Sequence, residues 1–330
     1  PAAETPHLDF LASRGTIFDC AYSACPSCIP ARASLWSGLD QWHTGILGMG
    51  SGQPHLRNTF RHTLAGELTR GGYQTIMVGK GHFSPQREPM GFEQLVLDEA
   101  SRVEDHGFIS DYRAWFSEHA PAGTTPDDHG IGCNSWLSRP WHQAEHLHPS
   151  AWTASQSLKA VQNRDRERPL FLTISFNQPH SPYVPPEYYY RLHENNPNIP
   201  EPLRGDWCEL YRDPSTAVDV NAWHGEMRPD RVRRARVGYY GEVSFIDTQI
   251  GRLIHSLSRH ESEFWRNSWI IFTSDHGDML GDHYLWRKTY AYEGSTHIPL
   301  LVCPPSGSRN AITRDDDHVA ELRDLMPTVL

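Results

Sequence analysis

The sequence predicts an α/β protein built on a mainly parallel sheet, and three observations carry that expectation. Leu170-Phe-Leu-Thr-Ile-Ser-Phe176 and Trp269-Ile-Ile-Phe-Thr273 are short, continuous, β-rich apolar runs, the pattern of strands covered on both faces. Arg231 to His260 carries Tyr239, Val243, Ile246, Ile250, Leu253 and Leu257 at spacings of four and three, which predicts one long amphipathic helix. Polar, chemistry-bearing residues directly follow three of the predicted strands. In open α/β sheets ligands bind beyond the carboxyl ends of the strands.

Taken in order, Glu4 to Gly15 opens a helix at Thr5-Pro6, turns Leu8 and Leu11 inward and stops at glycine. Thr59 to Arg70 repeats the design, with Phe60, Leu64 and Leu68 on one face and Gly71-Gly72 ending it. A strand over Thr75 to Val78 follows, with Lys80 and His82 just after it. His180 follows the Leu170 run, Asp275 and His276 follow the Trp269 run, and Ile298 to Cys303 is a fourth strand. The Pro-, Asp- and Trp-rich stretch from Pro182 to Met227 is expected to be a long irregular excursion near the site, a frequent seat of specificity.

A chain of 330 residues, 38% of them hydrophobic, can bury a large core. Its net charge of −10, without a long basic run, argues against nucleic acid as the main partner. No stretch approaches the roughly 18 apolar residues that span a bilayer, and no signal peptide opens the chain, so no membrane partner is expected. The six cysteines, at 20, 25, 28, 133, 208 and 303, lack a framework spacing and favour a reducing, cytoplasmic compartment.

Cys25-Pro-Ser-Cys28-Ile-Pro-Ala-Arg32-Ala-Ser reads as an active-site turn. Pro30 suits a first helical turn, where its missing N–H costs nothing. A helix beginning there aims free N–H groups and its positive dipole end at the surroundings of Cys28, and Arg32 adds a fixed charge; both suit an anion. Other readings are a buried structural cysteine, a disulfide with Cys25, or a zinc-binding pair, the last disfavoured because no second pair follows. Singly, Lys80, His82, His180 and Asp275 have bland readings as a solvated lysine, structural histidines and a turn cap. Together, behind three strand ends, they argue for one crevice.

Cys28-Ile-Pro30-Ala-Arg32-Ala-Ser-Leu-Trp-Ser-Gly38 resembles the signature of the sulfatase family, in which the cysteine is oxidised after synthesis to formylglycine. Family-like segments follow in order: Gly71 to His82, Gln178-Pro-His180-Ser-Pro182, Thr273-Ser-Asp275-His276-Gly277-Asp278 and Arg287-Lys288. Cys133 to Trp141 resembles arylsulfatases of the clostridial type, and the likeness covers nearly the whole chain. It implies an alkaline-phosphatase-like sandwich, a large, mainly parallel mixed sheet flanked by helices. It further implies that residues 1–330 are a catalytic domain truncated at both ends. The family's first strand with its aspartate pair would lie upstream, since Asp9 and Asp19 do not match those positions, and a small C-terminal sheet would lie downstream.

The same resemblance implies hydrolysis of aryl or carbohydrate sulfate monoesters. A hydrated aldehyde at position 28 carries two hydroxyls on one carbon, one to attack sulfur and one to expel sulfate. Arg32 would favour the ionised nucleophile, His82 would assist the hydrate, and Lys80 and Lys288 would hold the sulfate oxygens. His180, titrating near pH 6.5, would protonate the leaving alcohol. Residue 28, Asp275 and His276 would hold a divalent cation, expected to be calcium, although calcium prefers an oxygen ligand to histidine. The implied partner is a formylglycine-generating or anaerobic sulfatase-maturating enzyme. A phosphonate monoester or phosphodiester hydrolase and a non-catalytic sulfate-binding relative are the alternatives. Trp136, Arg139 and Trp141, and Asp282 with His283, are expected on the substrate side.

Overall fold

The computed structural model describes residues 2–48, 60–103, 105–308 and 313–330. Its strands are β1 (Thr16–Phe18), β2 (Ala21–Tyr22), β3 (Gln74–Gly79), β4 (Gln94–Leu97), β5 (Leu170–Ser175), β6 (Ile270–Thr273), β7 (Leu300–Cys303), β8 (Thr313–Asp315) and β9 (Ala320–Glu321). The helices that matter for the site are α1 (Pro6–Ala12), α2 (Cys28–Ser37), α3 (Leu64–Arg70), α4 (Pro149–Gln162), α5 (Glu187–Glu194) and α6 (Pro229–His260). The architecture is α/β, with helices flanking mixed sheets.

Among the described residues the strands form three hydrogen-bonded sets, in the orders β4-β3-β5, β6-β7-β1-β8 and β2-β9. β3 runs parallel to both neighbours, with Gln74 opposite Leu170 and Gly79 opposite Ser175. β7 is antiparallel to β6 and to β1, while β1 and β8 are parallel, as are β2 and β9. Sheet direction is therefore mixed, and the strand over 298–303 is one that reverses it.

β3 is buried at every residue except Gln74, because strands cover both its edges. β5 and β6 depart from the expectation of full burial. β5 is half-buried throughout, and Ile271 of β6 is exposed. Each has a strand partner on one edge only among the described residues, so neighbours cover only part of it.

The long helix exists as predicted, beginning two residues earlier with Pro229 at its first position. It buries Val237, Phe245, Ile246, Ile250 and Leu253 and packs against α1, α4 and α5. Asp247 on this helix accepts the backbone N–H groups of His7 (3.2 Å) and Leu8 (2.8 Å), so a carboxylate far away in sequence satisfies the open first turn of α1. α3 is shorter than the predicted 59–70 helix. Thr63 caps it, its Oγ1 accepting from Gly66 N at 3.1 Å, and Thr59 lies outside the described residues.

The 182–227 excursion holds α5 and two short 3-10 turns and is otherwise irregular, as expected. Backbone hydrogen bonds pin it to the segment before Lys288: His283 N to Leu203 O (2.8 Å), Gly225 N to Tyr284 O (2.9 Å) and Trp286 N to Trp223 O (2.9 Å). No helix among the described residues is long and apolar enough to cross a membrane.

Candidate active site

Cys28 is the first residue of α2, with Ser27 extended before it and Gly38 closing the helix in the left-handed region at φ 67°. Nearly every residue of α2 is buried, so the free N–H groups of its first turn and the positive dipole end face a closed space around Cys28. No disulfide forms there: all six cysteines are free.

The ends of three strands converge on this helix. After β3, Lys80 is buried and its Nζ lies 3.3 Å from Cys28 Sγ. The turn that delivers it requires Gly79, at φ 102°, where a Cβ would meet Ser175 O at 1.9 Å. After β6, His276 Nε2 lies 3.1 Å from Cys28 Sγ. Arg32, one helical turn beyond Cys28, donates Nε to Asp275 Oδ2 at 2.8 Å and Nη1 to Lys80 O (2.8 Å) and Ser175 Oγ (3.1 Å). After β5, His180 comes up beside the Cys28 sulfur, and its ring lies 6.1 Å from that of His276. Lys288 Nζ hydrogen-bonds His180 Nε2. His82 is buried at φ 54°, with its N–H and that of Gly81 held by Glu99 Oε1, both at 2.8 Å.

Burial alone would raise the Cys28 thiol. Lys80 first, and His276 second, overcome burial and hold the thiol well below its ordinary range. Asp275 behaves likewise: burial opposes ionisation, and Lys80, His276 and Arg32 reverse it. Burial lowers Lys80, with Cys28 and Asp275 pulling the other way. His180 does not titrate near 6.5. Burial first, and Lys288 second, push it down to about 3.

Cys28 Sγ, the Asp275 carboxylate and His276 Nε2 lie within 4.8 Å of one another, and these donors fit a divalent cation. His276 Nδ1 lies 2.7 Å from Gly277 O, and a carbonyl can only accept, so Nδ1 carries a proton; Nε2 faces the Cys28 sulfur, and once deprotonated it would offer its lone pair to a cation. Arg32 occupies Asp275 Oδ2, leaving Oδ1 facing His276 at 3.7 Å.

Other expectations change. Trp136 and Trp141 are core residues, 2% and 7% exposed, so their faces are spent on packing. Arg139 donates to His129 O. Asp282 and His283 tie the excursion down: Asp282 accepts from Leu203 N and Arg236, and His283 Nδ1 accepts from Gly205 N. Sequence reasoning missed Ser175 and Glu99. Both end apolar strands, at Leu170–Ser175 and after Gln94–Leu97, so the rule that found Lys80 applied to them as well.

A buried position 28 at a helix N-terminus, ringed by two lysines, two histidines and a cation-binding donor set, on an α/β scaffold, defines a hydrolase of anionic esters. The sulfatase family profile matches residues 1–330, and the chain belongs to that family of sulfuric ester hydrolases. It is 37% identical to an arylsulfatase of Clostridium perfringens over 99% of this chain and 69% of that protein. It is 30% identical to a choline-sulfatase of Rhizobium meliloti over 91% of this chain and 58% of that one, so it spans less than two thirds of this second relative. Among solved structures, a phosphonate monoester hydrolase of Agrobacterium radiobacter superposes with a TM-score of 0.77 at 25% identity, over 99% of this chain and 68% of that one.

Proposed function

We propose that the protein hydrolyses sulfate monoesters of aryl or carbohydrate alcohols, with Cys28 oxidised to formylglycine by a formylglycine-generating or anaerobic sulfatase-maturating enzyme and calcium as the cation beside it. The observation that carries this reading is the setting of the Cys28 sulfur, 3.3 Å from Lys80 Nζ and 3.1 Å from His276 Nε2 at the open end of α2. Kinship with an arylsulfatase and a choline-sulfatase supports the ester class. The six free cysteines support a reducing compartment.

The hydrated aldehyde supplies two hydroxyls on one carbon, and the cation supplies Lewis-acid stabilisation of an ionised oxygen. Asp275, His276 and residue 28 would hold that cation. Arg32 fixes Asp275 against the helix and orients the Lys80 turn through its carbonyl. Lys80 and Lys288 face the sulfuryl oxygens from two sides, in a site dry enough for their charges to count. The buried ring of His82 serves the collapse of the hydrate. His180 Nδ1 donates to Ser181 O (2.8 Å), so Nε2 accepts from Lys288. With His180 held neutral, the proton for the leaving alcohol sits between Lys288 Nζ and His180 Nε2, and the pair acts as the general acid.

The test is relative turnover of an aryl sulfate and an aryl phosphonate by the full-length protein. A preference for the phosphonate would move the assignment to the phosphonate monoester hydrolases, one of which shares this fold.

A further inference from the structure

The irregular excursion and the segment after Lys288 together build a feature that the chemistry at Cys28 does not use. Trp207 stacks on Tyr292, with ring centroids 4.9 Å apart and planes 13° apart, and Trp223 stacks on Tyr290 at 6.3 Å and 26°. Tyr211 joins the two pairs, 6.2 Å from each tryptophan. The result is a continuous aromatic wall whose two tryptophans remain 45% and 47% exposed.

The root of this wall is at the active site. Tyr290 and Tyr292 lie two and four residues past Lys288. Thr289 N donates to Pro26 O at 2.9 Å, two residues before Cys28. Tyr290 N meets Ser295 Oγ at 3.4 Å, and Ser295 O accepts from Gly277 N, next to His276, at 2.8 Å. Cys28, Lys80 and His82 are sealed, whereas His180 and Lys288 are half-buried, and the wall runs on directly from Lys288.

We propose, on the basis of the sulfatase reading, that this wall is the subsite for the alcohol portion of the ester, and that Trp223 and Trp207 select a flat aromatic alcohol. Exposed ring faces beside a mouth lined by cations suit an apolar ring carrying an anionic group at its edge. The carboxylates of Asp213, Asp219 and Glu226 are engaged within the excursion by Ser215, the Asn221 N–H and Arg212, so these three groups are committed to holding the wall rather than to sugar hydroxyls.

The experiment is steady-state kinetics of the full-length Trp223→Ala, Trp223→Phe and Trp207→Ala proteins on 2-naphthyl sulfate, ethyl sulfate and a pyranose sulfate. Alongside runs a fluorescence titration with 2-naphthyl sulfate and with inorganic sulfate in the Cys28→Ala background. Trp223→Ala is expected to lose about tenfold in kcat/KM on the naphthyl ester, carried by KM, while Trp223→Phe keeps most of it. Ethyl sulfate turnover and inorganic sulfate affinity stay unchanged, and naphthyl sulfate affinity falls about tenfold. Equal losses on naphthyl and ethyl esters would overturn the proposal, as would a greater loss on the pyranose ester. Wild-type protein that turns over only phosphonates would strike the sulfatase reading instead; the naphthyl-to-ethyl ratio on phosphonate esters then decides the wall.

Discussion

Arg32 Nε lies 2.8 Å from Asp275 Oδ2, joining the helix that carries Cys28 to the end of β6. Both side chains are largely buried, 9% and 13% exposed, so the pair is a structural bond as well as a charge beside the nucleophile. Lys80 lies on the same carboxylate oxygen at 3.7 Å, which makes Asp275 the point where helix and two strand ends are locked together.

Removing one partner of such a pair leaves a buried charge poorly compensated. Arg32→Ala is expected to destabilise the protein by about 3–5 kcal/mol in urea denaturation. Arg32→Lys recovers only part of this, since an ammonium cannot make the guanidinium's three directed bonds. A loss below about 1 kcal/mol for the alanine variant would match a surface pair and contradict the locked arrangement.

Cys28 alone has Pro30 and Arg32 at the spacing of the signature, so it alone should be converted to formylglycine in a competent host. Peptide mass spectrometry with an aldehyde-reactive probe is expected to label position 28 and leave the other five cysteines as thiols. Fully active enzyme with an intact Cys28 thiol would end the aldehyde mechanism.

The His180–Lys288 pair matters most where the departing alcohol needs a proton. His180→Ala should cost about a hundredfold or more on esters with poor leaving groups and far less on activated aryl sulfates. The measurement is kcat/KM across a leaving-group series. A uniform loss would take the pair out of proton donation.

Asp98 gives a pH effect on stability away from the cation-binding residues. Burial raises it from 3.8 to about 6, despite a 2.8 Å hydrogen bond from Asn177 Nδ2. The folded state then binds more protons than the unfolded state between those values. Stability therefore falls as pH rises through about 4 to 6 and is flat above, a cost of about 3 kcal/mol at most. Asp98→Asn should remove this slope. Urea denaturation at about pH 4 and about pH 7.5 checks it, and an unchanged difference between wild type and variant would show that Asp98 ionises normally.

Local pattern was enough to find β3, β5, β6, β7 and α6 within about two residues, because apolar runs and helical periodicity are properties of single segments. The sequence also identified the groups that meet at the site. Lys80, His180, Asp275 and His276 follow strand carboxyl ends, and Cys28 opens a helix with Arg32 one turn on, so the rules of α/β topology bring them together. Only the tertiary structure decided what each does there. Arg32 is committed to a carboxylate 243 residues away, burial and Lys288 keep His180 neutral, and Trp136 and Trp141 vanish into the core. Trp207 and Trp223 become a wall through contact with Tyr292 and Tyr290. Charge state, exposure and pairing depend on neighbours brought from elsewhere in the chain, and the periodicity of one segment carries no information about them.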